Sequence, residues 1–311
     1  MGNRSKPIVV VGSSINTDLV VTADRLPLAG ETITGNSFTT FQGGKGANQA
    51  VAAAQLGATV KMIGKVGSDA FGGESIRQLE NRGVNCEHVA IEDGDSGLAV
   101  ITVGLGGHNT IIVVPGANAQ VSPSFIESKR SVIREAGIVL AQLEIPADSV
   151  LCLAEICEQE GVSLMLDPAP AKPLPSGLIE RCEWFTPNET EAGFYSAGRN
   201  ESSSPAHIAS LLRAMGARNI LLKRGEHGAY ADLIAAASFE IAAMKVTAVD
   251  TTAAGDTYNG AFAAALVAGK QISLCGKFAS AAAALSVTRP GAQASMPTLA
   301  EVTAFMDHEC E

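Results

Sequence analysis

Positive charge is scarce in this 311-residue chain. It has 22 Lys and Arg against 32 Asp and Glu, a formal charge of −10. That balance disfavours a nucleic-acid backbone or an anionic membrane surface as partner. A phosphorylated small ligand stays open, because local backbone amides and a metal can neutralise it. The six cysteines, at 86, 152, 157, 182, 275 and 310, form no CxxC pair. Cys152 and Cys157 have no histidine nearby in sequence, which argues against a metal site. All six read as reduced thiols of a cytoplasmic protein. No run of 18 uncharged apolar residues is free of Gly, Ser and Thr. The nearest, 279–287, suits a buried helix. The first apolar stretch is too short for a signal h-region. His88, His108, His207, His227 and His308 form no cluster. Linkers, repeats and low-complexity tracts are also missing. What is present is 46% hydrophobic residues, ample for a sizeable core. Disorder and a disulfide-stapled miniprotein are thereby excluded.

Strand-like and helix-like runs alternate along most of the chain. Apolar, β-rich runs fall at 8–12, 59–66, 138–144, 162–167, 184–186 and 219–223. Amphipathic stretches lie at 47–56, 71–82, 122–135, 147–160 and 205–215. In the first of these, Ala47, Ala50, Val51 and Ala54 mark one helical face. The pattern predicts an α/β fold, a mostly parallel sheet with helices on both faces. Ligands of such sheets bind beyond the carboxyl ends of the strands. Two segments break the alternation, 18–41 and 97–114. Both read as short strands joined by turns, the second around a Gly-Gly tip. They predict a small projecting β-sheet, either a lid that excludes water or an oligomerisation surface. Helices at 255–268, 272–287 and 299–308 dominate the last third.

Several motifs carry candidate chemistry. Gln42-Gly43-Gly44-Lys45-Gly46-Ala47-Asn48 is not a Walker loop, since Thr39 and Gly46 fail that pattern. Its glycines permit close backbone approach to a ligand at a helix start, or simply a tight turn. Asp250-Thr251-Thr252-Ala253-Ala254-Gly255-Asp256 precedes a long apolar helix. Small residues at 253–255 leave backbone N–H groups bare, an anion hole for a phosphoryl group. Asp256 in the same turn is placed to accept a proton from an attacking hydroxyl, ionised by the positive end of the helix. Alternatively it caps the helix. In Thr186-Pro187-Asn188-Glu189-Thr190-Glu191, helix capping is the plain reading. The functional reading pairs Asn188 with Glu191 around Mg²⁺ near phosphates. Lys223-Arg224-Gly225-Glu226-His227-Gly228 suits either a nucleotide-contact loop or a surface hairpin. Arg289-Pro290-Gly291-Ala292, with Ser295 beyond it, reads as a turn after an Ala-rich helix.

Together and in this order, these motifs resemble the ribokinase/PfkB family of carbohydrate kinases, over nearly the whole chain. The Asp250–Asp256 motif is family-wide. Gly43-Gly44-Lys45-Gly46-Ala47-Asn48-Gln49-Ala50, Gln142-Leu143-Glu144 and Asp167-Pro168-Ala169-Pro170-Ala171 are closer to members that act on ribose. The resemblance implies one ribokinase-like domain over 1–311, with lid strands at about 16–41 and 97–116. It implies transfer of the ATP γ-phosphate to the 5-hydroxyl of D-ribose, giving D-ribose 5-phosphate. Asn16, Asp18, Gly44, Lys45, Asn48 and Glu144 then hold the sugar. Asp256 is the base, with Ala253, Ala254 and Gly255 in the anion hole. Asn188, Lys223, Gly225, Glu226, Gly228, Gly255 and Ser280 contact the nucleotide, and Glu191 acts on Mg²⁺. Asp250, Thr252, Ser286, Arg289, Gly291 and Ser295 hold a monovalent cation, K⁺. A homodimer through the lid is implied as well.

Three positions depart from the family pattern. Lys223-Arg224 replaces the usual Thr-Leu, and Ser280 stands where His or Asn is usual. Lys223-Arg224 leaves room for another acceptor, such as deoxyribose, a nucleoside or a hexose-type sugar, and Ser280 for a different nucleotide preference. A catalytically silent sugar-binding protein is a further alternative, against which the intact Asp256 turn argues.

Overall fold

The computed structural model describes residues 8–106, 108–196 and 204–308. Gly107 of the expected Gly-Gly tip and Cys310 lie outside the described residues. The strands, in chain order, begin with β1 (Ile8–Ser13), β2 (Asn16–Thr22), β3 (Ser37–Gly43), β4 (Val60–Gly67), β5 (Val84–Glu92), β6 (Gly97–Val103) and β7 (Asn109–Val114). They continue with β8 (Ile138–Ala141), β9 (Ser163–Leu166), β10 (Trp184–Phe185), β11 (Asn219–Lys223), β12 (Ala229–Asp232) and β13 (Phe239–Ile241). The helices begin with α1 (Lys45–Gln55), α2 (Ala70–Asn81), α3 (Pro123–Glu127), α4 (Arg130–Arg134), α5 (Ala147–Glu160) and α6 (Leu178–Arg181). They end with α7 (Glu189–Tyr195), α8 (Pro205–Ala214), α9 (Ala254–Val267), α10 (Ile272–Ser286) and α11 (Leu299–His308).

The main sheet has the order β13-β12-β11-β10-β9-β8-β1-β4-β5. Its strands pair in parallel from β11 across to β5, and β12 and β13 extend it antiparallel. Alternate residues of one strand feed two cores, as period-2 geometry requires. Ile138 and Leu140 pack with α1, α9 and α10, while Val139 and Ala141 pack with α5 and α8 on the other face. Helices therefore cover both faces, as the alternation predicts.

The projecting sheet has the order β3-β2-β6-β7, with β2 and β6 parallel at its centre. Edge strand β7 is exposed along its whole length.

Two sequence expectations need correction. The amphipathic stretch 122–135 is two short helices, α3 and α4, not one. The Ser128 hydroxyl bonds back to the Phe125 carbonyl at 2.6 Å, and Lys129 leaves helical geometry at φ −103°, ψ 9°. The periodicity survives because Ile126 and Ile133 still reach the same core. The hairpin strands β12 and β13 and the sheet-edge strand β5 are not anticipated by the hydropathy pattern. In β5 polar Asn85, Glu87 and His88 interrupt the apolar run.

Candidate active site

The carboxyl ends of β1, β8, β9, β10 and β11 open onto one edge of the main sheet, and three helices begin there. The first is α1. Its N-cap, Gly44, has φ 91°, ψ 126°, a region that favours glycine. A Cβ at Gly44 would collide with the Ser14 carbonyl, and one at Gly43 with the Asp18 carboxylate. The glycines therefore serve close approach within the protein, to the Ser14 backbone and the Asp18 carboxylate, as well as a turn. Glu144, just past β8, accepts from the Lys45 N–H at 3.0 Å and from the Ser14 hydroxyl. Asn16 on β2 accepts from Asn118 Nδ2 at 2.9 Å, and Asn118 Oδ1 in turn accepts from the Ile15 N–H at 3.0 Å. Burial, then Glu144 and Asp256, push the Asp18 carboxyl up to about 7. Burial also raises Glu144, against the pull of Lys45. Burial lowers Lys45, but Asp256, Asp167, Glu144 and Glu191 outweigh it and hold the ammonium above its ordinary range. The six residues expected to hold the sugar are thus gathered by α1, β2 and the end of β8.

The second helix is α9, and it packs tightly on α1. Gly260 makes that approach possible: a Cβ there would lie 2.7 Å from both Ala52 Cβ and the Gln49 carbonyl. The contact brings Asp256 against α1. Asn48 Nδ2 donates to Asp256 Oδ2 at 3.0 Å, and Gln49 Nε2 donates to Asp256 Oδ1 at 3.1 Å. Asn48 Oδ1 is buried and has no partner, an acceptor aimed from the same side chain that holds Asp256. The expectation that the helix terminus alone governs Asp256 needs correction. Burial dominates and raises its pKa, Asp167 adds to the rise, and Lys45, Asn48 and Gln49 oppose it. A carboxylate so raised is a stronger base than a solvated one. The turn before it is open. Ala253 has φ 58°, ψ 16°, the sole non-glycine at positive φ among the described residues, and no side chain caps α9. The Ala254 N–H bonds the Thr251 carbonyl at 3.2 Å. The Gly255 and Asp256 N–H groups follow in a first turn that offers no intrahelical acceptor. This is the geometry of an anion site.

The third helix, α7, is closed by its own residues. Asn188 Oδ1 accepts from the Glu191 N–H at 2.8 Å, and Glu191 Oε2 accepts from the Asn188 N–H at 2.8 Å. This is a full capping box. Glu191 is buried and raised by burial, with Lys223 pulling it back down.

Lys223 ends β11, and the 224–228 segment is the hairpin turn to β12. The structure bears out the hairpin reading of this segment. Lys223 points inward: its Nζ lies 3.0 Å from Asp167 Oδ1, and the two side chains are 10% and 3% exposed. The same Nζ lies 3.6 Å from where a Cβ on Gly255 would sit. Arg224 turns outward to Glu240 at 2.6 Å. Gly225 and Gly228 hold left-handed φ of 53° and 79° within the turn, and Glu226 is exposed on it. Ser280 is buried on α10 beside Tyr258. No recorded hydrogen bond joins it to Lys223 or Asp256.

Beside α9, Asp250 Oδ1 accepts from the Thr252 N–H at 2.9 Å and the Thr252 hydroxyl at 2.6 Å. Its Oδ2 accepts from the Gly291 N–H at 2.8 Å. Burial opposes these bonds, but they hold Asp250 below its usual value. The Ser286 and Ser295 hydroxyls are buried and donate to the carbonyls of Ala283 and Ala292 at 2.8 Å each. The Arg289 guanidinium pairs with Glu301, so only its backbone is left to face this loop. One ionised carboxylate amid hydroxyl and carbonyl oxygens is a donor set that fits a hard monovalent cation.

Sequence reasoning assigns no role to Gln49, Asp167, Gln142 or Asn118. Gln49 Nε2 also donates to Asp167 Oδ2 at 2.9 Å, and Gln142 Nε2 donates to Gln49 Oε1 at 2.7 Å. Gln49, Gln142 and Asp167 stand in or at the end of apolar runs, and that is the signal that could have exposed them; Asn118 sits in the polar turn over 116–120, where no such signal exists.

A family model described as pfkB family carbohydrate kinase matches residues 5–299. The ribokinase of Schizosaccharomyces pombe is 40% identical over 309 residues, covering 95% of this chain and 96% of that protein. The ribokinase of Bacillus subtilis is 41% identical over 298 residues, covering 95% and 97%. Among solved structures, Arabidopsis thaliana ribokinase complexed with ribose and ATP superposes with a TM-score of 0.90 at 34% identity, covering 97% of this chain and 98% of that one.

Proposed function

The chain belongs to the pfkB family of carbohydrate kinases, and from that membership we propose that it transfers the γ-phosphate of ATP to the 5-hydroxyl of D-ribose. The observation that carries the reading is Asp256: a buried carboxylate with a raised pKa, gripped through both oxygens, in an uncapped helix turn. Asn16, Asp18, Gly44, Lys45, Asn48 and Glu144 line the sugar side. Carboxylates and amides suit an acceptor with several hydroxyls, and the open Asn48 Oδ1 is one acceptor a hydroxyl would fill.

In this reading the sugar hydroxyl gives its proton to Asp256 as its oxygen attacks phosphorus in line. The Gly255 and Asp256 N–H groups meet charge developing on the phosphoryl oxygens. Asn188, Lys223, Gly225, Glu226, Gly228 and Ser280 form the nucleotide side. Across the two sides of the site Asp18, Glu144, Asp167, Glu191 and Asp256 outnumber Lys45 and Lys223, so a polyphosphate needs a divalent cation to enter. Glu191 would hold Mg²⁺ and its waters, and the ion would neutralise phosphate charge. Asp250, Thr252, Ser286, Arg289, Gly291 and Ser295 would hold K⁺ against the loop that leads into α9.

The projecting sheet acts as lid and dimer surface. In support, Ile111, Ile112, Val113 and Val114 are exposed on an edge strand, with Phe38 and Val100 exposed in the same sheet. A cytoplasmic location is supported by the free thiols of Cys86, Cys152, Cys157, Cys182 and Cys275. Among the described residues, no helix is long and apolar enough to cross a membrane.

The test is ADP release from Mg·ATP with a panel of sugars headed by D-ribose, each with K⁺ or a bulky organic cation. The expected result is turnover with ribose that K⁺ stimulates. Turnover only with another sugar moves the error to the Asp18, Asn48 and Glu144 reading. Indifference to K⁺ removes the 250–252 and 286–295 assignment.

A further inference from the structure

One side chain joins the two halves of the proposed reaction, and it belongs to neither. Gln49 is buried on α1, 1% exposed. A primary amide has two N–H hydrogens. Both are used here, one toward Asp256 Oδ1 at 3.1 Å and one toward Asp167 Oδ2 at 2.9 Å. The amide cannot turn over. Its Oε1 accepts from Gln142 Nε2 at 2.7 Å, and the reversed orientation would set that oxygen against two carboxylates. Asp167 passes the connection on, because its other oxygen accepts from Lys223 Nζ at 3.0 Å. Lys223 Nζ in turn lies beside Gly255, at the open end of α9.

From this continuity we propose that Gln49 is a positioning residue of the phosphoryl transfer. Its locked amide ties the proton acceptor Asp256 to the Asp167–Lys223 ion pair, so that base and phosphate-side ammonium keep one fixed separation. The proposal rests on the reading of Asp256 as the base. Two arguments carry it beyond packing. Two buried carboxylates side by side repel, and a donor between them is what makes their approach stable. A buried ion pair is often replaceable by apolar residues at no cost to stability. A pair kept at the mouth of a helix N-terminus, and wired to the base, has a positional use instead.

The experiment uses the full chain and three readouts: steady-state turnover with Mg·ATP and D-ribose, calorimetric sugar binding without nucleotide, and thermal melting. Gln49→Met keeps the length and volume of the side chain and removes the amide. It should lower kcat about 10- to 100-fold, as a misplaced reacting group does, while the sugar Kd stays within about twofold. Gln49→Glu should lose more, because a third carboxylate joins two. Lys223→Met should lower turnover in the parent, yet lower it far less in the Gln49→Met background, the non-additivity expected of linked groups. If Gln49→Met melts too low to assay, Gln142→Met is the substitute, since it removes the donor that holds the Gln49 amide oxygen. It should lower kcat in the same direction.

An unchanged kcat in Gln49→Met, or losses that multiply independently, overturns the proposal. Asp256→Asn is run beside it. If Asp256→Asn is inert and Gln49→Met is fully active, only the Gln49 inference falls. If Asp256→Asn turns over normally, the base reading falls and takes the inference with it.

Discussion

Helices α7 and α9 both begin beside Lys223, and they treat their first-turn N–H groups in opposite ways. At α7, Asn188 and Glu191 satisfy each other in a closed capping box. At α9 no side chain caps the turn, and the residue before the helix is an alanine held at φ 58°. A left-handed alanine costs about 1–2 kcal/mol, and an absent cap about 1 kcal/mol. Stability alone would select against both. One helix end is therefore closed by side chains, while the other is left open. The acids follow the same division. Glu191 closes on Asn188, through its backbone N–H and its amide, whereas Asp256 is held by the amide side chains of Asn48 and Gln49.

That contrast can be broken in four places. The largest effect is expected at Asp256→Asn. Removing a general base should lower kcat by about 10²–10⁴-fold, while calorimetric sugar binding remains, since the Asn keeps the shape of the site. Lost binding with an unchanged melt would reassign Asp256 to the sugar.

Next is Asn188→Ala, which opens the α7 box. It should lower the melting temperature by about 2 °C, from a lost cap of about 1 kcal/mol. If Glu191 also serves the divalent ion, kcat at saturating Mg·ATP drops about tenfold too. A melt change with kcat untouched would reduce the α7 turn to a cap and sharpen the difference from α9.

Asp18→Asn tests the carboxylate crowd on the sugar side. Burial, with Glu144 and Asp256 nearby, raises the folded pKa of Asp18 from the ordinary 3.8 to about 7. Between those values the folded state binds the proton and the unfolded state does not, so stability is lost as pH rises through that window. The Asn variant should gain melting temperature over the parent at pH 8 and gain less at pH 5, while losing sugar affinity. Equal gains at both pH values would show that burial and its acidic neighbours do not raise the Asp18 pKa.

The smallest effect is expected at Ala253→Gly. Relief of left-handed strain and the added freedom of the unfolded chain oppose each other, so stability should shift by less than about 1 kcal/mol. A large destabilisation by chemical denaturation would mean the alanine methyl packs in a way its conformation does not require.

The sequence made the glycine turn at 43–44, the small-residue run at 253–255 and the Asn188–Glu191 spacing legible. Each is a local preference, fixed within a few residues by φ, by side-chain size or by capping. The parallel sheet was legible as well, because strand and helix periods are local. The stretch at 122–135 misled because a serine hydroxyl can end a helix that hydropathy would continue.

Residue type alone determined which groups this protein can bring to a reaction: one loop of bare amides, several carboxylates, two lysines. Tertiary structure decided which of them meet. Gln49 and Asp256 are separated by 207 residues, and Asp167 and Lys223 by 56. They come together because Gly260 lets α9 rest on α1 and because parallel strands place their carboxyl ends side by side. Packing of that kind depends on shape across the whole chain, and no window of sequence contains it.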